Sequence, residues 1–343
     1  MYELRLGERR IGENQPVFII AELGYNFNTL DEALRSVDAA AKSGVDAIKV
    51  QTFRADTITT RNLDFPAEAG GVNQYEEFKR YEISEETHRA IFARARDRGL
   101  IPFSTPSHPD DVELLERVGI ELYKIGSDDL TNLPFLRYVA AKGKPMILSS
   151  GMATLAEVDE AIRIVRGAGN DRIVLLQCTS NYPVRDLSVL NLRVIETYRR
   201  TFPVLVGFSD HSTTLSAAVA AVTLGAVVVE RHFTLDTALE VPDAFFSSNP
   251  AEMAALVRAI RETEAMLGDG VKRPTPTEEK MRADTRKGLV AARAIPKGAT
   301  ITPEDIGIKR PGMGIAPRDF DLLIGRQAAR DIQADEVITW DLV

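Results

Sequence analysis

The chain is short of cysteine, histidine and positive charge, and it has no long apolar run; each shortage removes a class of proteins. One cysteine in 343 residues, Cys178, excludes an intramolecular disulfide framework and any multi-cysteine zinc site. Lys and Arg number 42 against 50 Asp and Glu, a net charge of -8. That is the wrong sign for a nucleic-acid binder or for a protein lying on an anionic membrane, because both need a positive footprint. No apolar stretch approaches the roughly 20 residues of a transmembrane helix. The polar opening MYELRLGERR does not read as a signal peptide, so the expected location is cytoplasmic. With 44% hydrophobic and 27% charged residues the composition is that of an ordinary globular protein and not of a disordered one. Only His88, His108, His211 and His232 are present, so the position of each histidine carries information.

Eight short apolar, β-branched runs recur along the first 235 residues. They span 18–23, 47–52, 101–106, 122–127, 145–150, 172–178, 204–210 and 226–234. Between them lie stretches with helical apolar spacing, such as LDEALRSVDAAAKSG and TLAEVDEAIRIVRGAG. Eight strand–helix alternations with near-continuous apolar strands predict an α/β fold, a closed parallel TIM (β/α)8 barrel. An open doubly wound sheet is the runner-up, disfavoured because no GxGxxG follows the first strand. The long connection from Phe53 to about Tyr81, with Gly70 and Gly71, reads as a lid or a subunit contact. Residues 1–270 are therefore expected to form the barrel, 271–285 a linker rich in Gly, Pro and charge, and 286–343 a small β-rich module. A module that short gains little from its own core and is expected to lean on something larger.

In such barrels chemistry sits at the carboxyl ends of the strands, and here all eight ends are polar. In order they carry Glu22; Lys49 and Gln51; Ser104 and Thr105; Lys124 and Ser127; Ser149 and Ser150. The last three carry Cys178, Thr179 and Ser180 with Tyr182 just beyond; Ser209, Asp210 and His211; and Glu230 and His232. A lone strand-end Ser or Thr commonly caps the following helix, but eight polar ends converging on one rim need another explanation. His211 and His232 end consecutive strands. Their spacing leaves two readings equally open, ligands of a divalent metal with free positions, or ordinary rim histidines. The hydroxyls of Thr105, Ser127, Ser149, Ser180 and Ser209, with the Lys124 ammonium, form a donor set suited to a phosphate. His88 lies in a charged helical stretch and is expected at the solvated surface; His108 could serve either role.

At these positions the chain resembles the sialic acid synthase family. The segments that carry the resemblance include IIAELG at 19–24, DAIKVQTFRAD at 46–56, YKIGS at 123–127, ILSSGMAT at 147–154, VGFSDHS at 206–212 and GAVVVERHFTLD at 225–236. The segment IPKGATITPEDIGIKRPGMGI resembles the antifreeze-like (SAF) module that follows the barrel in that family. The resemblance implies a transferase that condenses phosphoenolpyruvate with an open-chain N-acylated hexosamine, giving a nine-carbon 2-keto acid and phosphate. It implies His211 and His232 as ligands of Mn2+ or Mg2+. Thr105, Lys124, Ser127, Ser149, Ser180, Tyr182 and Ser209 match positions around the substrate phosphate. Glu22, Lys49, Gln51, Glu230 and Asp243 match positions near the reacting carbons and the sugar, with Glu22, Lys49 and Glu230 carrying the chemistry. Arg310 matches an arginine that the small module of one subunit extends into its partner's barrel, so the resemblance also implies a domain-swapped homodimer.

The chain departs from the family pattern at Phe27, Ser107, His108, Asp128, Asp129 and Ala244. These positions lie toward the acceptor sugar. They leave open N-acetylmannosamine, a 2,4-diacetamido-6-deoxy hexose of the kind used in bacterial legionaminic or pseudaminic acid synthesis, or another sugar. Two competing readings are a carbohydrate- or ice-binding protein that works through its small module, and a synthase for a phosphorylated sugar.

Overall fold

The computed structural model describes residues 3–65 and 71–343. It divides into two units, one ending at Gly268 and the other running from Asp269 to Val343.

The first unit opens with an antiparallel hairpin of β1 (Glu3–Leu6) and β2 (Arg9–Gly12), turned at Gly7, whose φ of 56° suits glycine. Leu4, Leu6 and Ile11 of this hairpin join the barrel core. The sequence reading began at Phe18 and missed it, because alternation of Leu with Glu and Arg over four residues is a weak signal. The barrel strands are β3 (Phe18–Glu22), β4 (Ala47–Thr52), β5 (Ile101–Pro106) and β6 (Tyr123–Ile125). They continue as β7 (Met146–Ser149), β8 (Ile173–Cys178), β9 (Leu205–Asp210) and β10 (Val228–His232). All neighbours pair in parallel, and β10 closes on β3, so the expected eight-stranded barrel is present.

The helices of this unit are α1 (Leu30–Lys42), α2 (Ala55–Ile58), α3 (Gln74–Arg80), α4 (Glu85–Asp97), α5 (Pro109–Arg117) and α6 (Leu133–Ala140). They continue with α7 (Leu155–Gly167), α8 (Val194–Thr201), α9 (Leu215–Thr223) and α10 (Pro250–Leu267). Capping boxes start α1 at Thr29 with Glu32, α7 at Thr154 with Glu157 and α10 at Asn249 with Glu252. Short helices α2 and α3 occupy much of the 53–81 connection; Gly70 lies outside the described residues. At the amino end of the barrel, Asp46 ties three elements together. Its carboxylate accepts from Ile19 N at 2.8 Å and pairs with Arg9 at 3.0 Å and Arg261 at 3.2 Å.

His88 is a correction to the sequence reading, because it is fully buried. On α4 it shares a stripe with Ile91, Phe92 and Ala95, the i, i+3, i+4, i+7 spacing of a helix face turned to the core. Its Nδ1 lies 2.8 Å from the Ser84 carbonyl, which can only accept, so Nδ1 carries the proton. Nε2 then accepts from Thr52 Oγ1 at 2.8 Å, and Thr52 in turn meets Ser104 Oγ at 2.6 Å. Burial holds the imidazole neutral by lowering its pKa to about 4.

In the second unit, the stretch expected to be a linker contains a helix, α11 (Pro276–Thr285). Thr275 caps it with Glu278 and Pro276 opens it, so the Pro-rich run is a start signal for the helix rather than a spacer. Beyond it β11 (Gly288–Ala291) pairs antiparallel with β12 (Ile306–Lys309). Two small apolar clusters hold this unit, one around Leu289, Ile301, Ile315 and Ile338, the other around Ala291, Ile295 and Ile332.

Candidate active site

Side chains alternate across each strand, and at the carboxyl ends this alternation separates chemistry from support. Lys49, Gln51, Thr105, Ser209, Glu230 and His232 share the inner parity. Thr52, Ser104, Asp210 and Arg231 fall on the other and bond among themselves or to the helical layer.

Two buried lysine–carboxylate pairs cross the inner mouth. Lys49 Nζ stands 2.6 Å from Glu22 Oε2 and donates to Thr105 Oγ1 at 3.0 Å, while Gln51 Nε2 donates to Glu22 Oε1 at 3.3 Å. Lys124, on β6, donates to Glu230 Oε1 at 2.9 Å; β10 is four strands away around the ring, so this pair spans the barrel. Ser209 Oγ donates to the same oxygen at 3.0 Å. Burial opposes ionisation of Glu230, but Lys124 and Lys49 outweigh it and hold the carboxyl down at about 2. Burial likewise disfavours the Lys49 ammonium, yet the Glu22 and Glu230 carboxylates overcome it and raise its pKa above the ordinary lysine value.

Next to Lys124 lies a cradle of small residues. Gly151 N donates to Ser127 Oγ at 3.0 Å, and the buried hydroxyls of Ser149 and Ser180 have no hydrogen-bond partner among the described residues. A Cβ at Gly151 would collide with Ser180 Oγ and lie 2.7 Å from Ser127 Oγ, so only glycine leaves this space open. Buried donors without partners are costly unless something else satisfies them. A cleft of about 470 Å³ opens alongside, lined in part by Met152, Cys178, Ser180, Asn181 and Tyr198.

Beyond Cys178, whose Sγ lies 3.6 Å from Ser127 Oγ and 3.9 Å from His211 Nδ1, the His211 and His232 rings lie with centroids 5.3 Å apart. Tyr182 covers His211 at 4.4 Å and Phe246 lies 5.0 Å from His232. His211 Nδ1 lies 3.0 Å from the Thr179 carbonyl, which fixes the proton there and leaves Nε2 as a lone-pair donor. His232 Nδ1 is buried, has no hydrogen-bond partner among the described residues and lies 3.4 Å from Asp243 Oδ2. A Cβ at Gly24, whose φ is 48°, would intrude 2.8 Å from Asp243 Oδ2, 3.3 Å from Glu22 Oε1 and 3.5 Å from His232 Nδ1. Glycine therefore keeps the space between these three groups clear. Among the described residues no cluster of three or more His, Cys, Asp or Glu is arranged around one ion position.

The structure thus gathers Glu22, Lys49, Gln51, Thr105, Lys124, Ser127, Ser149, Ser180, Tyr182, Ser209, Glu230, His211, His232 and Asp243 in the carboxyl-terminal mouth. Arg310 belongs to the second unit, where it is exposed at the end of β12. His108 caps α5, its Nδ1 accepting from Asp110 N. Sequence reasoning passed over Tyr25 and Phe246. Burial, together with the carboxylates of Asp243, Asp128 and Glu22, pushes the Tyr25 phenol well above its ordinary pKa, so it stays protonated and faces acidic groups. Its ring packs on Phe53 and Tyr81 at 5.7 and 5.5 Å, which joins the 53–81 connection to the mouth. A strand-alternation pattern could not have found either residue, since Tyr25 lies in a turn and Phe246 in the short 3-10 helix Ala244–Phe246.

The NeuB family model matches residues 36–272, and a SAF domain model matches residues 286–343. The chain is 38% identical to the N,N'-diacetyllegionaminic acid synthase of Legionella pneumophila, over 96% of this chain and 95% of that one. It is 37% identical to a pseudaminic acid synthase of Campylobacter jejuni, over 95% of this chain and 96% of the other. The crystal structure of an N-acetylneuraminic acid (sialic acid) synthetase from Leptospira borgpetersenii, in complex with citrate, superposes with a TM-score of 0.75. It is 32% identical and covers 82% of this chain and 95% of its own.

Proposed function

Because the chain belongs to the NeuB family and carries a SAF domain after its barrel, we propose that it condenses phosphoenolpyruvate with an open-chain N-acylated hexosamine, giving a nine-carbon 2-keto acid and phosphate. The observation that carries this reading is the cradle of Ser127, Ser149, Gly151 and Ser180, where the buried hydroxyls of Ser149 and Ser180 have no partner among the described residues and only glycine at 151 leaves the space open. Kinship with legionaminic and pseudaminic acid synthases, together with the departures at Phe27, Asp128 and Ala244, supports a 2,4-diacetamido-6-deoxy hexose as acceptor over N-acetylmannosamine.

In this mechanism Ser127, Ser149, Ser180, Thr105 and Lys124 take the phosphate. Lys49, steered by Glu22 and Thr105, orients the enol so that its methylene carbon attacks the sugar aldehyde carbon, whose oxygen takes up a proton. Water adds at the carbon bearing the phosphate ester, and cleavage of that carbon–oxygen bond releases phosphate and leaves the 2-keto acid. Glu230 accepts from Lys124 and Ser209 and serves to hold those two donors in place, which leaves the water's proton to the second carboxylate. Glu22, beside the space kept clear by Gly24, takes that proton.

His211, through the Nε2 left free by its Nδ1 contact, and His232, whose Nδ1 has no hydrogen-bond partner among the described residues, would hold a divalent cation, Mn2+ or Mg2+. When bound, such an ion supplies Lewis-acid polarisation of a carbonyl oxygen. Arg310 of one subunit completes the acceptor end of its partner's site in a homodimer.

The test measures phosphate release from phosphoenolpyruvate with Mn2+ and a panel of hexosamines, and identifies the product by mass. Release should require both the ion and an acceptor, and the product should be a nine-carbon acid. No release with N-acetylmannosamine or any diacetamido-dideoxy hexose would refute the proposal.

A further inference from the structure

Asp210 and Arg231 face each other in register on β9 and β10, and His211 and His232 follow them directly in the chain. The alternation that turns both imidazoles into the mouth turns this pair outward, where Phe208 and Val229 precede it on the same faces. Both charges are almost entirely out of water. Arg231 Nη1 donates to Asp210 Oδ2 at 2.7 Å and to the Thr214 carbonyl at 2.9 Å, and Nε donates to Ser248 Oγ at 2.7 Å. Asp210 Oδ1 accepts from Ser212 N at 2.9 Å. Ser248 N donates to the His232 carbonyl at 2.9 Å, so one guanidinium joins both strand ends, the turn at 212–214 and the segment packed against His232.

A buried ion pair adds little stability over apolar residues of the same volume, since desolvation cancels most of the attraction. Its fork of directed donors does supply fixed geometry. We propose that Asp210 and Arg231 are positioning residues that set the separation and orientation of His211 and His232 for one shared divalent ion. This inference rests on reading those histidines as ligands.

The experiment is calorimetric titration of Mn2+ into the metal-free full-length protein and into Arg231→Lys, Ser248→Ala and His211→Gln variants, with inorganic phosphate titrated in parallel. Lysine keeps the buried charge but cannot bridge Asp210, Thr214 and Ser248 together. Arg231→Lys should weaken Mn2+ about 10- to 100-fold, the range for outer partners of metal ligands, and leave phosphate binding unchanged. Ser248→Ala removes only the hydroxyl taken by Nε and should shift Mn2+ affinity the same way by less, which preserves the test should the lysine variant not fold. Unchanged Mn2+ affinity in a folded variant would overturn the proposal, as would a parallel fall in phosphate binding, which marks general loosening. His211→Gln separates the two layers of the argument: undiminished Mn2+ binding there overturns the ligand reading and this inference together.

Discussion

Lys49 and Glu230 show at the level of single residues how this chain keeps charge inside a barrel, with each buried ion held by an opposite ion and a hydroxyl. Gly151 shows the complementary device, space reserved by the absence of a side chain. Gly151→Ala should raise the phosphoenolpyruvate KM at least tenfold while leaving thermal stability within about 1 kcal/mol; steady-state kinetics and calorimetry check it. His88 makes a different prediction. Its folded pKa of about 4 lies below the unfolded value of 6.5, so the unfolded state binds the extra proton between those pH values. The neutral ring's contribution is complete above pH 6.5 and is lost as pH falls toward 4, on the order of 3 kcal/mol at most. Asp111 and Asp129, both raised to about 6 by burial, act in the opposite direction. The effect is therefore read as the difference between urea unfolding of the wild type and of His88→Asn across that range, and the variant should show the smaller loss on acidification.

Among the elements, β6 and β10 carry the clearest energetic statement, because Lys124 and Glu230 reach each other across the barrel. Lys124→Met leaves Glu230 with one fewer cation and should destabilise by roughly 3–5 kcal/mol, whereas Lys124→Met with Glu230→Leu should recover most of that loss. Thermal unfolding of the two variants decides it. Strands were the most legible elements. All eight apolar runs became barrel strands, because a strand covered on both faces must be apolar along its length. The hairpin at 3–12 and the helix at 276–285 were not legible. One has only half its strand residues buried, and the other begins in a Pro-rich run that also suits a linker.

For the whole molecule, the net charge of -8 is compatible with an anionic substrate because the inner mouth concentrates its cations at Lys49 and Lys124. The proposed homodimer makes a sharp prediction. Arg310→Ala and Lys49→Ala should each be inactive alone, and co-expressed they should regain activity, since a mixed dimer contains one intact site. Phosphate release measures it, and no recovery would mean that Arg310 does not act across subunits.

A single cysteine excluded an intramolecular disulfide and a multi-cysteine zinc site, and the eight apolar runs with polar ends determined the barrel and the polar rim at its mouth. These are properties of single segments, written in local spacing. The tertiary structure decided what depends on segments far apart in the chain. It placed Lys124 against Glu230, 106 residues away, buried His88 against Thr52, and joined Asp210 to Arg231 behind the two histidines. A charged residue within a strand or helix reads the same whether it faces water or a partner. Only closure of the barrel, which removes the water, determines which partner it must find.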